Sequence, residues 1–263
     1  MLEEWKTVTR KTKRRIGKEN NTSSNCVEIL SNINFTKSDI QHEISKVEKA
    51  SEELIESAFF HKFCKYIETV LIKYENDCHE KTSMLNEIVC YGLGSVSNSY
   101  IARYQLAMLI LLLKFLSQRT GNNCGNKPIP CYVYDPIFNN FDVAILENFK
   151  LKVLSENEEG RRKGSSEHGI SIFYMIHCDK FLYDNLLCEN LENRTMDKII
   201  VIGNSFKTMW ERLPESVLKN DYKLIYKIIS EGLVSETMLD NWKDNDAIFN
   251  DTSIHCFRKF SLT

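Results

Sequence analysis

Five short apolar segments, most of them followed by a helical stretch, constrain the fold of this chain more than any other feature. The segments EIVCY, CYVYD, LKVL, SIFYMI and KIIVI have the length and apolar composition of buried strands. Helices are predicted over residues 100–116, 141–149, 180–191, 205–212 and 222–231, with a short return through AIFNDTSIHCF after the last. Strands that alternate with helices predict a parallel sheet with helices on both faces. The sequence therefore predicts an α/β, Rossmann-like fold.

Two segments precede the predicted sheet. Between residues 38 and 74, apolar side chains such as Ile40, Ile44 and Val47 recur at three- and four-residue steps, which predicts N-terminal amphipathic helices. Residues 1–36 carry a basic cluster and the polar stretch KENNTSSN, so they offer little to bury and are predicted to be a disordered basic arm. We expect residues 37–263 to form a single domain and the arm to be dispensable for folding.

Composition narrows the classes of partner. The chain has 34 basic and 36 acidic residues and a formal net charge of -2, which argues against direct binding of nucleic acid or of an anionic membrane surface. Its longest apolar run, residues 106–113, is shorter than the roughly 20 residues that a membrane-spanning helix needs. The N-terminus lacks the apolar core of a signal peptide. We therefore expect a cytoplasmic protein, also nuclear if the basic cluster directs import, with no membrane contact.

The nine cysteines include no Cys-x-x-Cys pair of the kind used for zinc or redox chemistry. Unpaired cysteine often packs as a small apolar side chain. The sequence therefore predicts buried free thiols and no metal site.

A glycine-rich turn follows the first predicted strand. Gly92, Gly94, Ser95 and Ser97 form a Gly-x-Gly-x-x-Ser version of the dinucleotide fingerprint, with Ser97 in place of the third glycine. Such a turn lets a ligand approach the backbone, and the following helix N-terminus attracts an anion. The alternative is a plain strand-to-helix turn in which Ser95 or Ser97 caps the helix.

Asp135 follows the second strand, where an acidic side chain can bind the ribose hydroxyls of a nucleotide. It lies farther from Gly94 than the usual spacing of about 20 residues, which the long intervening helix and turn explain. The alternative is that Asp135 caps a turn with Pro136.

Polar residues also follow the fourth and fifth strands. His177 is a candidate acid, base or ligand, and Cys178 is a candidate nucleophile if its pKa is lowered by the histidine or the helix N-terminus. Asn204 either bonds across the strand ends or caps its own helix, and capping is the favoured alternative. Because parallel strands end at one edge of a sheet, we expect Gly92 to Ser97, Asp135, His177 and Asn204 to line one cleft.

Taken together, CYGLGSVSNSYIARYQLAMLILL, VYDPIF, FYMIHCDKFLYDNLL, VIGNSF and FNDTSIHCF resemble the sensitivity-to-red-light-reduced (SRR-like) domain family over roughly residues 85–257. The resemblance implies a regulatory protein with protein partners. It also implies a link to circadian clock gene expression and, in animals, to haem biosynthesis. It supplies no established catalytic residue.

Two functional hypotheses follow. The first is a regulator that binds a small nucleotide-like ligand at the strand ends. The second is a nucleotide- or S-adenosylmethionine-binding enzyme of methyltransferase-like fold, with Gly92 and Gly94 beneath the cofactor and Asp135 on its ribose. The chain has Pro130-Cys131 and no Cys-Pro dipeptide of the type found in haem-regulated proteins, which argues against haem, although His177 with Cys178 leaves it open.

Overall fold

The computed structural model describes residues 35–77, 85–121, 128–164, 169–242 and 245–258. The predicted arm lies outside these ranges except for its last two residues. The helices are α1 (Lys37–Ile55), α2 (Ala58–Asp77), α3 (Tyr100–Gly121), α4 (Asn140–Asn148), α5 (Lys180–Glu192), α6 (Phe206–Arg212), α7 (Glu215–Asp221), α8 (Lys223–Ser230) and α9 (Asp246–Phe249). The strands are β1 (Leu85–Tyr91), β2 (Cys131–Tyr134), β3 (Lys152–Val153), β4 (Ile170–Met175), β5 (Ile199–Asn204), β6 (Val234–Met238) and β7 (Thr252–Phe257).

The described strands form one sheet in the order β3-β2-β1-β4-β5-β7-β6. The first five of these strands are parallel, whereas β7 is antiparallel to both β5 and β6. This arrangement confirms the predicted α/β class, with helices on both faces and two N-terminal helices before the sheet. The sequence did not predict β6. It treated the segment that contains β7 as a short connection after the last helix and not as a full strand.

Both faces of the sheet are covered by apolar cores. Every residue of β4 is buried, as is nearly all of β5, which is typical of central parallel strands. Side chains alternate across the sheet: Ile172 and Tyr174 face the core under α1 to α4, while Phe173 and Met175 face the core under α5 to α8.

Helix α3 is long and apolar enough to cross a membrane when judged by length and composition alone. The stretch concerned, Tyr100–Arg119, has a mean hydropathy of 1.4, and 56% of it is buried inside the fold. Leu106, Leu109 and Leu112 lie in the core between the sheet and the N-terminal helices. The burial of this helix in the domain therefore explains its apolar character.

Two described residues precede α1 and contact the domain. The hydroxyl of Thr36 accepts a hydrogen bond from the Asp39 N–H, and the Asp39 carboxylate accepts one from the Thr36 N–H, which forms a capping box. The ring of Phe35 lies 5.0 Å from that of Phe141. Phe35 and Thr36 thus contribute to the domain although the sequence assigned them to the arm.

A buried histidine lies where the antiparallel strands join the sheet. His255 of β7 is fully buried, and its Nδ1 lies 3.2 Å from the Val201 carbonyl. Its Nε2 has no hydrogen-bond partner among the described residues and lies 3.7 Å from a carboxylate oxygen of Glu236. Burial lowers the pKa of His255, and the Glu236 carboxylate partly offsets that effect. Burial in the native state therefore favours the neutral form of His255.

The capping box predicts a sharp limit for N-terminal truncation. A chain that starts at Phe35 should keep the full-length free energy of unfolding, because the residues removed have little to bury. A chain that starts at Lys37 loses the Thr36 cap and should be about 1 kcal/mol less stable. Urea denaturation of the three chains checks this. A large loss of stability in the first truncation would show that residues 1–34 pack on the domain.

The neutral state of His255 predicts that the protein is destabilised by mild acid. The histidine of the unfolded chain takes up a proton near pH 6.5, whereas the native one resists it, so stability is complete above that pH. As the pH falls below about 6.5, the free energy of unfolding should decrease by up to about 1.4 kcal/mol per pH unit. His255→Gln should flatten this dependence between pH 7 and pH 5. The control His61→Gln, at an exposed position in α2, should leave it unchanged.

Candidate functional site

The four predicted turns meet at the carboxyl edge of the sheet. Strands β1, β2, β4 and β5 are parallel, so the turns that follow them lie on the same side. In this strand order, the crossovers change direction between β1 and β4, which is where ligands bind in open α/β sheets. The placement of these turns on one edge agrees with the sequence prediction, whereas ligand binding there stays a prediction.

The glycine turn depends on two residues with positive φ. Gly92 has φ 69° and Gly94 has φ 80°, a backbone region that other residues rarely adopt. A Cβ added at Gly92 would lie 2.5 Å from the Sγ of Cys178, so no side chain fits there without movement. The Gly94 N–H donates a hydrogen bond of 2.8 Å to Oδ2 of Asp135. The turns after β1, β2 and β4 are therefore in direct contact.

Ser95 and Ser97 bind a carboxylate that the sequence reasoning missed. Asp142, fully buried in the first turn of α4, accepts hydrogen bonds from the Ser97 N–H at 2.8 Å and the Ser95 hydroxyl at 3.2 Å. Neither serine caps α3, because the hydroxyl of Ser99 takes that role by accepting from the Ala102 N–H. Asp142 also belongs to a capping box with Asn139, and this Asn-x-x-Asp spacing was the signal in the sequence.

Asp135 caps a turn with Pro136, as the alternative interpretation predicted, and it remains a candidate ligand residue. One carboxylate oxygen accepts from Gly94 and the other accepts from the Ile137 N–H at 3.0 Å, which forms a turn over Pro136. A carboxylate oxygen has two lone pairs, so each oxygen can accept one further hydrogen bond from a ligand.

His177 is held in an unusual conformation by three polar side chains. Its φ is 59°, and its backbone N–H donates to Oδ1 of Asn204 at 2.7 Å. Its Nε2 lies 2.8 Å from Oδ1 of Asn250, and its Nδ1 lies 3.2 Å from the amide nitrogen of Gln105. These partners fit a ring protonated on Nε2 and unprotonated on Nδ1. Both ring nitrogens are therefore occupied within the protein.

Asn204 bonds across the strand ends, so the favoured capping alternative was wrong. Its side-chain amide donates to the Cys178 carbonyl at 3.1 Å while its oxygen accepts from His177. Its backbone N–H donates to the hydroxyl of Tyr183 at 2.9 Å. Ser205, the next residue, caps α6 through the Thr208 N–H. Asn204 thus fixes the turn after β4 against the end of β5.

Cys178 is placed for packing and not for nucleophilic attack. Its thiol is buried and donates to the Tyr91 carbonyl at 3.1 Å. Burial raises the pKa of Cys178, and the charges of Asp135 and Asp179 raise it further. A thiol with a raised pKa is a poor nucleophile, so the suggestion of a reactive Cys178 is not supported.

The chain is similar to known proteins over most of its length. A family model described as the SRR1 domain matches residues 40–256, which is most of the chain. The chain belongs to the SRR1 family. It is 39% identical to an SRR1-like protein of Mus musculus over 140 residues, which cover 53% of this chain and 52% of the mouse protein. The aligned part thus spans about half the length of that relative.

Two further relatives extend the match of this SRR1 domain. Protein SENSITIVITY TO RED LIGHT REDUCED 1 of Arabidopsis thaliana is 26% identical over 215 residues, or 81% of this chain and 73% of that protein. An SRR1-like protein of Drosophila melanogaster is 28% identical over 178 residues, or 68% of this chain and 57% of that protein. No solved structure gives a significant match.

Exposed apolar side chains lie beside the site in this SRR1 domain. Tyr100 begins α3, Ile137 follows Asp135, and Phe181 lies in the first turn of α5, so each follows a strand that ends at the site. Their exposed fractions are 43%, 60% and 48%. Each of them offers exposed apolar surface near the end of a strand.

Within the described ranges, no group of three or more histidine, cysteine or acidic side chains is arranged to hold a metal ion. The six described cysteines are free thiols, of which Cys90, Cys131 and Cys178 are buried. The described part of the SRR1 domain therefore offers hydrogen-bonding groups and apolar surface at this edge.

The contact of Gly92 with Cys178 predicts a measurable coupling. Gly92→Ala adds a methyl group at a positive φ and against Sγ, and should destabilise the fold by about 2–4 kcal/mol. In a Cys178→Ala background only the backbone strain remains. There, Gly92→Ala should lower the free energy of unfolding by at least about 1 kcal/mol less than in the wild-type background.

The matched control is Gly232→Ala, because Gly232 has φ 63° and open space around its Cβ position. It should show the cost of backbone strain alone, in both backgrounds. Chemical denaturation of the variants gives the coupling energy. Additive effects of Gly92→Ala and Cys178→Ala would mean that the thiol does not limit the size of residue 92.

Proposed function

We propose that this chain is a regulatory protein of the SRR1 family that binds a small nucleotide-like ligand at the carboxyl edge of its sheet and conveys its presence to a protein partner. The observation that carries this proposal is the hydrogen-bonded assembly of the turns after β1, β2, β4 and β5 at the topological switch point. Four turns far apart in sequence are held in one arrangement there.

Two properties of this edge support a ligand over a purely structural role. His177 adopts a backbone conformation that is costly for a residue with a side chain, and such conformations cluster at functional sites. Ile137 is exposed directly beside Asp135, so an apolar surface and a hydrogen-bond acceptor are adjacent. This combination suits a nucleoside, which has an apolar base and a sugar with hydroxyl groups.

Regulation is favoured over catalysis by the state of the two candidate catalytic groups. Cys178 is buried with a raised pKa, and both ring nitrogens of His177 are hydrogen-bonded. The name of the Arabidopsis relative refers to reduced sensitivity to red light, which describes a response and not a reaction. We propose clock gene expression and haem biosynthesis as the regulated processes, in line with the family resemblance.

The proposal includes action in the cytoplasm, and in the nucleus if the basic cluster between residues 10 and 15 directs import. The near-zero net charge supports recognition of a protein partner at a local surface over binding to nucleic acid or an anionic membrane. The exposed apolar residues beside the site are the surface at which a ligand would alter that recognition.

The second candidate function is an enzyme that uses a nucleotide or S-adenosylmethionine. The strand order 3-2-1-4-5 with a glycine turn after β1 favours it, because doubly wound folds of this order bind nucleotide cofactors at that turn. Asp135, at the end of β2, lies where such proteins bind ribose hydroxyls. Fold alone does not establish an activity, so the strand order supports cofactor binding more directly than methyl transfer.

Haem fits the described residues less well. An iron ligand at His177 would have to give up its hydrogen bond to Gln105 or Asn250. A thiolate ligand from Cys178 would have to form in a buried site that raises its pKa. Control of haem biosynthesis therefore needs another input signal in this proposal.

The proposed function predicts that a nucleoside-containing compound stabilises the folded protein. A ligand present at 100 times its Kd raises the free energy of unfolding by about 2.7 kcal/mol, which is visible as an increase in Tm. Thermal melting should be measured with S-adenosylmethionine, NAD, adenosine, adenine nucleotides and haem. Asp135→Ala should reduce the shift, whereas Asp197→Ala, in the turn that precedes β5, should not.

An assay for chemical turnover of the bound compound distinguishes the regulator from the enzyme. Binding without methyl transfer or hydrolysis supports the regulator, and turnover of a bound compound supports the enzyme. A Tm that none of the compounds changes would contradict a ligand site for this class of molecule and leave regulation through protein contacts alone.

A further inference from the structure

A glycine turn of the dinucleotide type binds phosphate because its backbone N–H groups point toward the ligand, together with the N-terminus of the next helix. In this chain two of the corresponding donors already have partners. The Gly94 N–H donates to Asp135, and the Ser97 N–H donates to Asp142, each at 2.8 Å. Gly94 stands at the second position of the motif, where the backbone of a dinucleotide-binding turn approaches the pyrophosphate.

One donor at the N-terminus of α3 also has a partner. The hydroxyl of Ser99 accepts a hydrogen bond from the Ala102 N–H, which would otherwise be a free donor in the first turn of the helix. The protein's own oxygens thus occupy three of the donors on which anion binding at such a turn depends. A phosphate bound by these three donors would have to displace those oxygens.

The charge at the turn also opposes an anion. Asp142 is fully buried and is held by the Ser97 N–H, the Asn139 N–H and the Ser95 hydroxyl. Within the described ranges, no lysine or arginine forms an ion pair with Asp135 or Asp142. Two carboxylates beside the turn therefore repel a phosphate and attract a positive group.

The remaining free groups define what does fit. Asp135 has unused lone pairs that can accept hydrogen bonds from ribose hydroxyls, and Ile137 beside it offers an exposed apolar face for a base. A positive charge placed near the glycine turn would be stabilised by the two carboxylates. These requirements are met by a nucleoside that carries a cationic substituent in place of phosphates.

We infer that the site takes a phosphate-free nucleoside with a positively charged substituent, of the class of S-adenosylmethionine, and discriminates against nucleoside phosphates and nicotinamide dinucleotides. This inference rests on the proposed function, because it concerns the ligand of the same site. It applies whether the ligand is a signal or a reactant.

Isothermal titration of the full chain at constant ionic strength tests the inference with a series that differs in charge: S-adenosylmethionine, adenosine, AMP, ATP and NAD. We expect S-adenosylmethionine to bind most tightly, and AMP to bind about tenfold more weakly than adenosine. ATP and NAD should bind more weakly still. Tighter binding of ATP or NAD than of adenosine would overturn the inference while leaving the proposed ligand site intact. No binding by any compound would overturn both.

A charge-removing variant tests the cause. Asp135→Asn keeps an oxygen that can accept from Gly94 but removes the negative charge. The ratio of the Kd for AMP to the Kd for adenosine should therefore decrease at least about threefold. The matched control Asp197→Asn makes the same charge change in the turn that precedes β5 and should leave the ratio unchanged. An unchanged ratio in Asp135→Asn would contradict the proposed role of this charge. If the variant fails to fold, the wild-type series alone decides.

Discussion

The parallel pairing of β1 with β4 is the interaction on which the rest of the site depends. Ile88 pairs with Ile172 and Cys90 pairs with Tyr174 at the centre of the sheet, where both strands are buried on both faces. This pairing joins the two halves of the sheet and brings the glycine turn against the turn that contains His177. The small side chain of Cys178 and the absence of one at Gly92 allow that approach. A larger group at either position would separate the two strand ends.

The polar groups at this edge are used mainly to hold the turns in place. Asn204 and Asp142 lie inside hydrogen-bonded networks, and each satisfies backbone groups that no strand or helix partner reaches. Asp135 holds Gly94 through one hydrogen bond and also keeps free lone pairs that a ligand can use. We infer that the few groups left free at this edge select a ligand by their charge. This is why occupied donors are as informative about function as free ones.

Much of the fold follows from local pattern. The buried parallel strands are continuous apolar runs, and their turns contain glycine or small polar residues, so β1, β2, β4 and β5 and their following helices could be predicted closely. Strand β6 could not, because VSETM lies at the sheet edge, is partly exposed and lacks an apolar run. The full length of β7 was not predicted. Ser253 and His255 are buried by packing against β5 and α6, which local composition does not reveal.

The sequence by itself determined which residues stand at the carboxyl ends of the strands, since that depends only on the order of strand and turn signals along the chain. Gly92, Asp135, His177 and Asn204 were found in this way. Only the tertiary structure decided what their polar groups do. Hydrogen bonding and burial depend on residues that are distant in sequence, such as Asp142 for Ser97 and Asn250 for His177. The same packing buries the Cys178 thiol, raises its pKa and removes a nucleophile that the sequence alone had left available.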